Sequence, residues 1–348
     1  MPGVTKDSSL EVVLGSCQSI FGRQQHAQLS QDGLERFVSS LDPQRVKNAA
    51  VGPAFPLRFP SLEAEITAIT LWNAFKFGSG YDRLLACRYQ RSAKDVMEFG
   101  VLSMLLSSRP LDIHFMKAFS MVEVQGFFNL DPSEDHEVSP GITMSRPGEL
   151  APLCRMIRDV MNNSGRILEE MGHKTFGDFI LSTMDDLKAS RKSPQAAVLV
   201  QELCDCFPAF QDFGLYEDQK VTFSRKAQSL ASDLYCVLQH RDDRFDFVDV
   251  EALTMDSGNG ALAYFREVGV LTVTEDVRDS IEAGICIEQG DVERSLRAAS
   301  VSAGHEIARR CEGAFSAREL GLYITHIVQD KGELKESTPH LTRETMAY

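Results

Sequence analysis

The chain has 348 residues, 43% of them hydrophobic and 25% charged, a globular composition with enough apolar mass to bury a core. Its 36 basic and 50 acidic residues give a formal net charge of -14. Binding a nucleic-acid duplex or an anionic membrane needs a basic footprint, so both are disfavoured, whereas a small anionic ligand needs only a few local cations.

The N-terminal segment MPGVTKDSSLEVVLGSC opens polar and charged ahead of an apolar run too short for a signal peptide, and no run of 18 apolar residues follows. The expectation is a cytoplasmic protein. Eight cysteines lie at positions 17, 87, 154, 204, 206, 236, 286 and 311, and Cys204-x-Cys206 lacks a second pair at zinc-ligand spacing, so reduced structural thiols are expected. The histidines form no His-x-x-x-His or His-Glu-x-x-His pattern, and neither a metal nor a cofactor is predicted.

Phe77-Gly78-Ser79-Gly80-Tyr81 admits two readings: a turn between helices, or a backbone that approaches an anionic ligand ahead of a helix starting at Asp82. Residues 129-149 carry three prolines, two glycines and a run of acids, which predicts a surface loop. Thr175-Phe-Gly-Asp178 and Ser316-Ala-Arg-Glu319 each place a hydroxyl three residues ahead of a carboxylate, the pattern of a capping box at a helix start. In Phe207-Pro-Ala-Phe210-Gln-Asp212 the aromatics suit a packed loop or stacking on a flat base, and Asp212 suits a solvated acid or an orienting group.

Over 223-238, Phe223, Ala227, Leu230, Leu234 and Val237 recur at helical spacing and leave Arg225, Lys226, Gln228 and Asp233 on other faces. Arg225 and Lys226 point about 100° apart, so only one of them can line a given pocket and pair with a phosphate. Asp256, Ser257 and Asn259 in LTMDSGNG are N-cap types before a helix, although a carboxylate there can also face a cleft. Leu296, Ala299, Ala303, Ile307 and Cys311 mark another helix beginning near Asp291. Strand signals are confined to KVTF (220-223) and VGVLTV (268-273), and the fold is predicted to be mainly α.

In this order, FGSGY (77-81), FPAFQD (207-212), VTFSRKAQSLASDL (221-234), LTMDSGNGALAYFREVGVL (253-271), ERSLRAASVSAGHE (293-306) and PHLTRETMAY (339-348) resemble the queuosine salvage proteins from about residue 50 onward. The resemblance implies a single large helical domain over 50-348, distantly similar to helix-hairpin-helix DNA glycosylases, behind a helical extension at 1-49. It implies hydrolysis of the N-glycosidic bond of queuosine 5'-phosphate to release queuine, with a mononucleotide as partner. Cleavage builds positive charge on the ribose, so Asp256 or Asp233 is the candidate carboxylate at the anomeric carbon and His326 a candidate base. Phe77, Gly78, Ser79, Gly80, Tyr81, Phe210, Asp212, Phe223, Arg225, Lys226, Gln228 and Asn259 are the candidate substrate-binding residues. Where the family pattern reads LTMFAD, this chain has LTMDSG, with Gly258 at the acid; on the C-terminal helix Gly321 and Thr325 replace an acid and a Trp. Those changes leave a second reading, a catalytically silent relative that binds a nucleotide or a protein.

Overall fold

Side-chain caps open many of the helices, satisfying backbone N–H groups that a first turn leaves without partners. In the computed structural model, which describes residues 8–107, 109–329 and 338–348, Ser8, Ser30, Asp42, Ser61, Ser92, Asp112 and Ser120 all accept such bonds. In chain order the elements are α1 (Ser9–Phe21), β1 (Ala27–Leu29), α2 (Gln31–Ser40), α3 (Pro43–Asn48), α4 (Leu62–Ala74), α5 (Asp82–Tyr89), α6 (Ala93–Leu106), α7 (Ile113–Lys117) and α8 (Met121–Phe128). There follow β2 (Ser133–Ser139), β3 (Ile142–Pro147), α9 (Ala151–Glu170), α10 (Phe176–Ala189), α11 (Ala196–Cys206), β4 (Phe213–Tyr216), β5 (Gln219–Thr222), α12 (Arg225–Leu238) and α13 (Asn259–Glu267). The chain continues through β6 (Leu271–Val273), α14 (Glu275–Ala283), α15 (Asp291–Arg310) and α16 (Ala317–Gln329). The fold is mainly α. The strands form three two-stranded antiparallel pairs: β1 with β6, β2 with β3 and β4 with β5.

The expected helices over 223-238, from Asp291 and from Ser316 are all present. At Ser316 the hydroxyl accepts from Glu319 N at 3.2 Å while the Glu319 carboxylate accepts from Ser316 N at 2.8 Å, a complete capping box. At Thr175 the hydroxyl accepts from Asp178 N at 3.0 Å, but the Asp178 carboxylate reaches back one residue further, to Lys174 N at 2.8 Å. The segment expected as a loop at 129-149 instead forms the β2–β3 hairpin, pairing Ser133 with Pro147 and His136 with Met144. Both strands are largely exposed and rich in polar residues. A strand solvated on both faces has no hydrophobic alternation to announce it.

The chain divides into two compact units. One comprises residues up to Pro56, Met184–Cys204 and Phe210–Thr342; the other comprises Leu57–Thr183, Asp205–Ala209 and Arg343–Tyr348.

In the first unit α15 is buried along most of its length, from Glu293 to Gly304, and α1, α13, α16, β1 and β4 pack against it. Residues expected as an N-terminal extension supply part of this core: Cys17 and Ile20 join Val221, Phe223, Ala298 and Val301, while Leu34, Phe37 and Val46 join the larger cluster around Phe265 and Leu296. Gly33 lies so close to the chain that a Cβ there would stand 1.8 Å from the Gly269 carbonyl oxygen.

In the second unit α9 carries Leu153, Cys154, Ile157, Val160, Met161, Ser164, Gly165 and Leu168 on one buried stripe. Gly165 admits α7, since its Cβ would lie 2.8 Å from that of Met116. Asn162 then donates to the carbonyls of Met116 and Phe119, each at 2.9 Å, satisfying the free end of that short helix.

The glycines of the first unit make a paired prediction. Gly33→Ala forces backbone against backbone and lowers unfolding stability by about 1–3 kcal/mol. Gly15→Ala, inside α1 with nothing within 4 Å of the new methyl, raises it by about 0.5–1 kcal/mol. Denaturant unfolding of the two variants reads both, and equal effects would refute the packing argument.

Candidate active site

The β4–β5 hairpin brings two of the sequence-predicted segments together. Asp212 precedes β4, Ser224 follows β5, and pairing of Phe213 with Thr222 places them side by side. The Asp212 carbonyl accepts from Phe223 N at 2.9 Å and Ser224 N at 3.2 Å, and its carboxylate accepts from Arg225 N at 3.1 Å. Asp212 therefore caps α12 from across the hairpin, where its charge also favours the positive end of the helix dipole. Ser224, at the N-cap position, has φ 50° and makes no side-chain capping bond. Asp212 is buried rather than a solvated acid.

Arg225 and Lys226 diverge as adjacent helical residues must. The Arg225 fork grips Asp256 in two places, Nε to Oδ1 at 2.5 Å and Nη2 to Oδ2 at 3.1 Å, with both side chains partly accessible. The same Oδ1 accepts from Gly258 N at 2.6 Å, closing a tight turn at the start of α13. Lys226 is completely buried; desolvation lowers its pKa to about 7, with Asp212 opposing that shift and Arg225 adding to it.

Gln228 joins the segments a third time. Its amide donates to Phe223 O at 2.8 Å and accepts from Thr254 N at 2.8 Å, fixing the chain just before Asp256. Asn259 donates to His340 O at 2.8 Å, so the C-terminal segment also reaches this neighbourhood. Burial pushes the His340 imidazole down to about 3, assisted by the positive charges of Arg297 and Arg266.

Sequence reasoning missed Arg297. Its Nη2 donates to the Asp212 carboxylate at 2.6 Å and to Ser257 Oγ at 3.1 Å, its Nε donates to Ser257 O at 3.1 Å, and Nη1 lies 3.5 Å from Glu293 Oε1. Its guanidinium carbon stands 3.9 Å from the Phe223 ring centroid, covering one face of this candidate substrate-binding residue. Phe210 is fully buried, and its carbonyl accepts from the Cys204 thiol at 3.4 Å. A charged pair four residues apart, Glu293 and Arg297, inside a helix of small apolar residues was the available signal.

The other candidates lie apart from this cluster. Asp233, also buried, is seven residues along α12 from Lys226 and shares its face about two turns away. His326 is exposed near the end of α16. That helix meets the Asp256 segment through Gly321, whose Cβ would lie 3.1 Å from Asp256 N, and His326 is about 140° further round the helix. Met255 fits a notch between two helices, since a Cβ on Gly304 would stand 2.3 Å from its sulfur and one on Gly321 would stand 3.4 Å from its Cγ.

Phe77, Gly78, Ser79, Gly80 and Tyr81 belong to the second unit. Gly78 has φ 102° and donates its N–H to Tyr348 O at 3.0 Å; Arg343 Nε donates to Gly80 O at 3.3 Å and its guanidinium faces the Tyr81 ring. The segment is a turn between α4 and α5, the first of its two readings, with Ser79–Tyr81 in a single 3-10 turn and α5 starting at Asp82. Among the described residues, no group of three or more His, Cys, Asp or Glu is placed to hold a metal ion, and no helix is long and apolar enough to cross a membrane.

A helical scaffold that gathers Asp212, Arg225, Lys226, Gln228, Asp256 and Asn259 in one polar neighbourhood is the class of protein the fold and site define. The sequence profile of the queuosine salvage protein family matches residues 137–332, more than half of the chain, and the chain belongs to that family. It is 28% identical over 152 residues to a Sphaerobacter thermophilus protein named queuosine 5'-phosphate N-glycosylase/hydrolase, covering 43% of this chain and 46% of that one. Proteins of the same name from Nematostella vectensis and Dictyostelium discoideum are 24% identical over 196 residues and 26% identical over 201, covering 53% and 56% of this chain and 56% and 57% of theirs. The chain spans about half the length of the curated relatives it matches.

Lys226 gives a prediction with a definite sign. Its folded pKa lies below the unfolded value of 10.5, so between pH 7 and 9 the unfolded chain holds a proton that the folded chain has released. Stability therefore rises with pH across that window, by up to ~1.4 kcal/mol per pH unit from this group. Chemical denaturation at pH 7, 8 and 9 should show the rise in the wild type and a flatter profile in Lys226→Met. A variant profile parallel to the wild type would show that Lys226 is not the source.

Proposed function

We propose that this chain hydrolyses the N-glycosidic bond of queuosine 5'-phosphate, or of a closely related modified nucleotide, and releases the free base for salvage into tRNA modification. The observation that carries the reading is the Arg225–Asp256 pair at the start of α12, in a chain of the queuosine salvage family. It sets a carboxylate beside a guanidinium fork in a partly accessible place, where one can face a ribose and the other a phosphate.

In this reading Asp256 or Asp233 stabilises the positive charge that develops on the ribose, and His326 serves as base. Asp256 is tied directly to the phosphate-binding candidate Arg225 and is the first to test. Arg225, the partly accessible one of the two adjacent cations, holds the 5'-phosphate. Phe210, Asp212, Phe223, Gln228 and Asn259 shape the base pocket. A free mononucleotide suits a chain with net charge -14 better than intact tRNA does, because only the pocket has to be cationic.

A second reading, binding without turnover, is favoured by the two glycines. A Cβ on Gly258 would stand 3.0 Å from both Arg225 Nε and Asp256 Oδ1, so Arg225 and Asp256 fill the space that the family's acid would enter.

One experiment separates the readings. Purified protein is incubated with queuosine 5'-phosphate, free queuine is measured by mass spectrometry, and the melting temperature is followed with and without the nucleotide. Release of queuine that falls by about 100-fold or more in Asp256→Asn supports the hydrolase. A raised melting temperature without product supports the silent relative. Neither response, alongside an active family member, overturns both.

A further inference from the structure

Arg297 is almost wholly buried in α15; of its four hydrogen bonds described above one goes to Glu293 on the same helix, and the other three go to Asp212 and Ser257, the immediate neighbours of Arg225 and Asp256 in space or in sequence. On one side is Asp212, whose carboxylate oxygen accepts both Arg297 Nη2 and the backbone N–H of Arg225. On the other is Ser257, the residue after Asp256, held through its carbonyl and its hydroxyl. The ring of Phe223, two residues before Arg225, lies beneath the guanidinium carbon at 3.9 Å from centroid to carbon. Both ends of the β4–β5 hairpin and the turn after Asp256 thus take their mutual register from one planar group.

The chemistry of the pair argues for geometry over stability. A buried ion pair recovers little more than the cost of removing both charges from water, and an apolar residue of similar volume often serves stability as well. A planar fork with five donors in fixed directions is what an apolar residue, or the single point charge of a lysine, cannot supply.

The geometry points to Arg297 as the positioning residue of this site: through Asp212 and Ser257 it sets the register between the start of α12 and the Asp256 turn, and so holds the Arg225–Asp256 pair together. It acts without touching the substrate. This rests on the reading of the Arg225–Asp256 pair as the reactive centre, but its first test needs no substrate.

That test is a double-mutant cycle on the unfolding equilibrium, with Arg225→Met and Asp256→Asn made singly and together in the wild-type chain and again in an Arg297→Lys background. The expected coupling between the two residues is about tenfold in the unfolding constant in the wild type, collapsing to about onefold in the Arg297→Lys background, where the planar fork is gone. If Arg297→Lys does not fold, Ser257→Ala, which removes one acceptor and leaves the arginine in place, takes its role and should reduce the coupling partway. No coupling in the wild type, or equal coupling in both backgrounds, overturns the proposal whatever the chain does with a nucleotide. The second arm measures turnover of queuosine 5'-phosphate per folded molecule. Arg297→Lys should lower kcat by about 10- to 100-fold while KM changes by less than about threefold. A variant that loses only melting temperature and keeps kcat marks a merely structural arginine and also overturns it. Absence of turnover in the wild type fails the hydrolase reading alone.

Discussion

The ion pair between Asp212 and Arg297 is the constraint on which this site depends. With both side chains almost fully out of water, neither charge has solvent to fall back on, so each must be satisfied by protein groups in fixed directions. Asp212 meets that demand by capping α12, and Arg297 by binding the Ser257 backbone and hydroxyl. The need to satisfy one buried pair therefore aligns the start of a helix, the end of a hairpin and the turn that carries Asp256. Family membership places the chain among queuosine salvage proteins; this local arrangement gives the membership chemical content.

Around that pair the unit is built to limit adjustment. α15 is buried from Glu293 to Gly304, and its small residues there bring neighbouring helices close and let a charged fork reach the loops beyond them. Gln228 holds Thr254 while Arg297 holds Ser257, so the four residues from one to the other are pinned at both ends. The N-terminal helices belong to the same construction, since α1 packs on β5 and α15 and thereby backs the hairpin that presents Asp212.

Much of this was legible because helical periodicity is strong where a helix has one apolar face. The segments at 223-238, 291-311 and 316 onward announced themselves through spacing and caps, and Asp212, Arg225, Gln228 and Asp256 were recognisable within motifs. The β2–β3 hairpin was hidden because its residues face solvent on both sides, so acids, prolines and glycines looked like a loop. Arg297 was hidden for the opposite reason. A basic residue on a helix is ordinarily a solvated one, and only the three-dimensional approach of Asp212 and Ser257 distinguishes it. The assignment of Phe77–Tyr81 to a different compact unit from Arg225 is equally a property of long-range contacts that no spacing encodes.

The notch that receives Met255 carries a consequence for how this protein can vary. Its thioether lies against the bare backbone of Gly304 on α15, so positions 255 and 304 share one volume, while Gly321 on α16 stands at contact distance on the other side. A side chain gained at Gly304 must be answered by a smaller residue at 255, or the turn bearing Asp256 is displaced. A substitution at 304 alone therefore strains the turn, and one paired with a smaller residue at 255 relieves it. The same crowding shields the buried sulfur from oxidant, and a sulfoxide oxygen formed there has to find room beside the Asp256 turn.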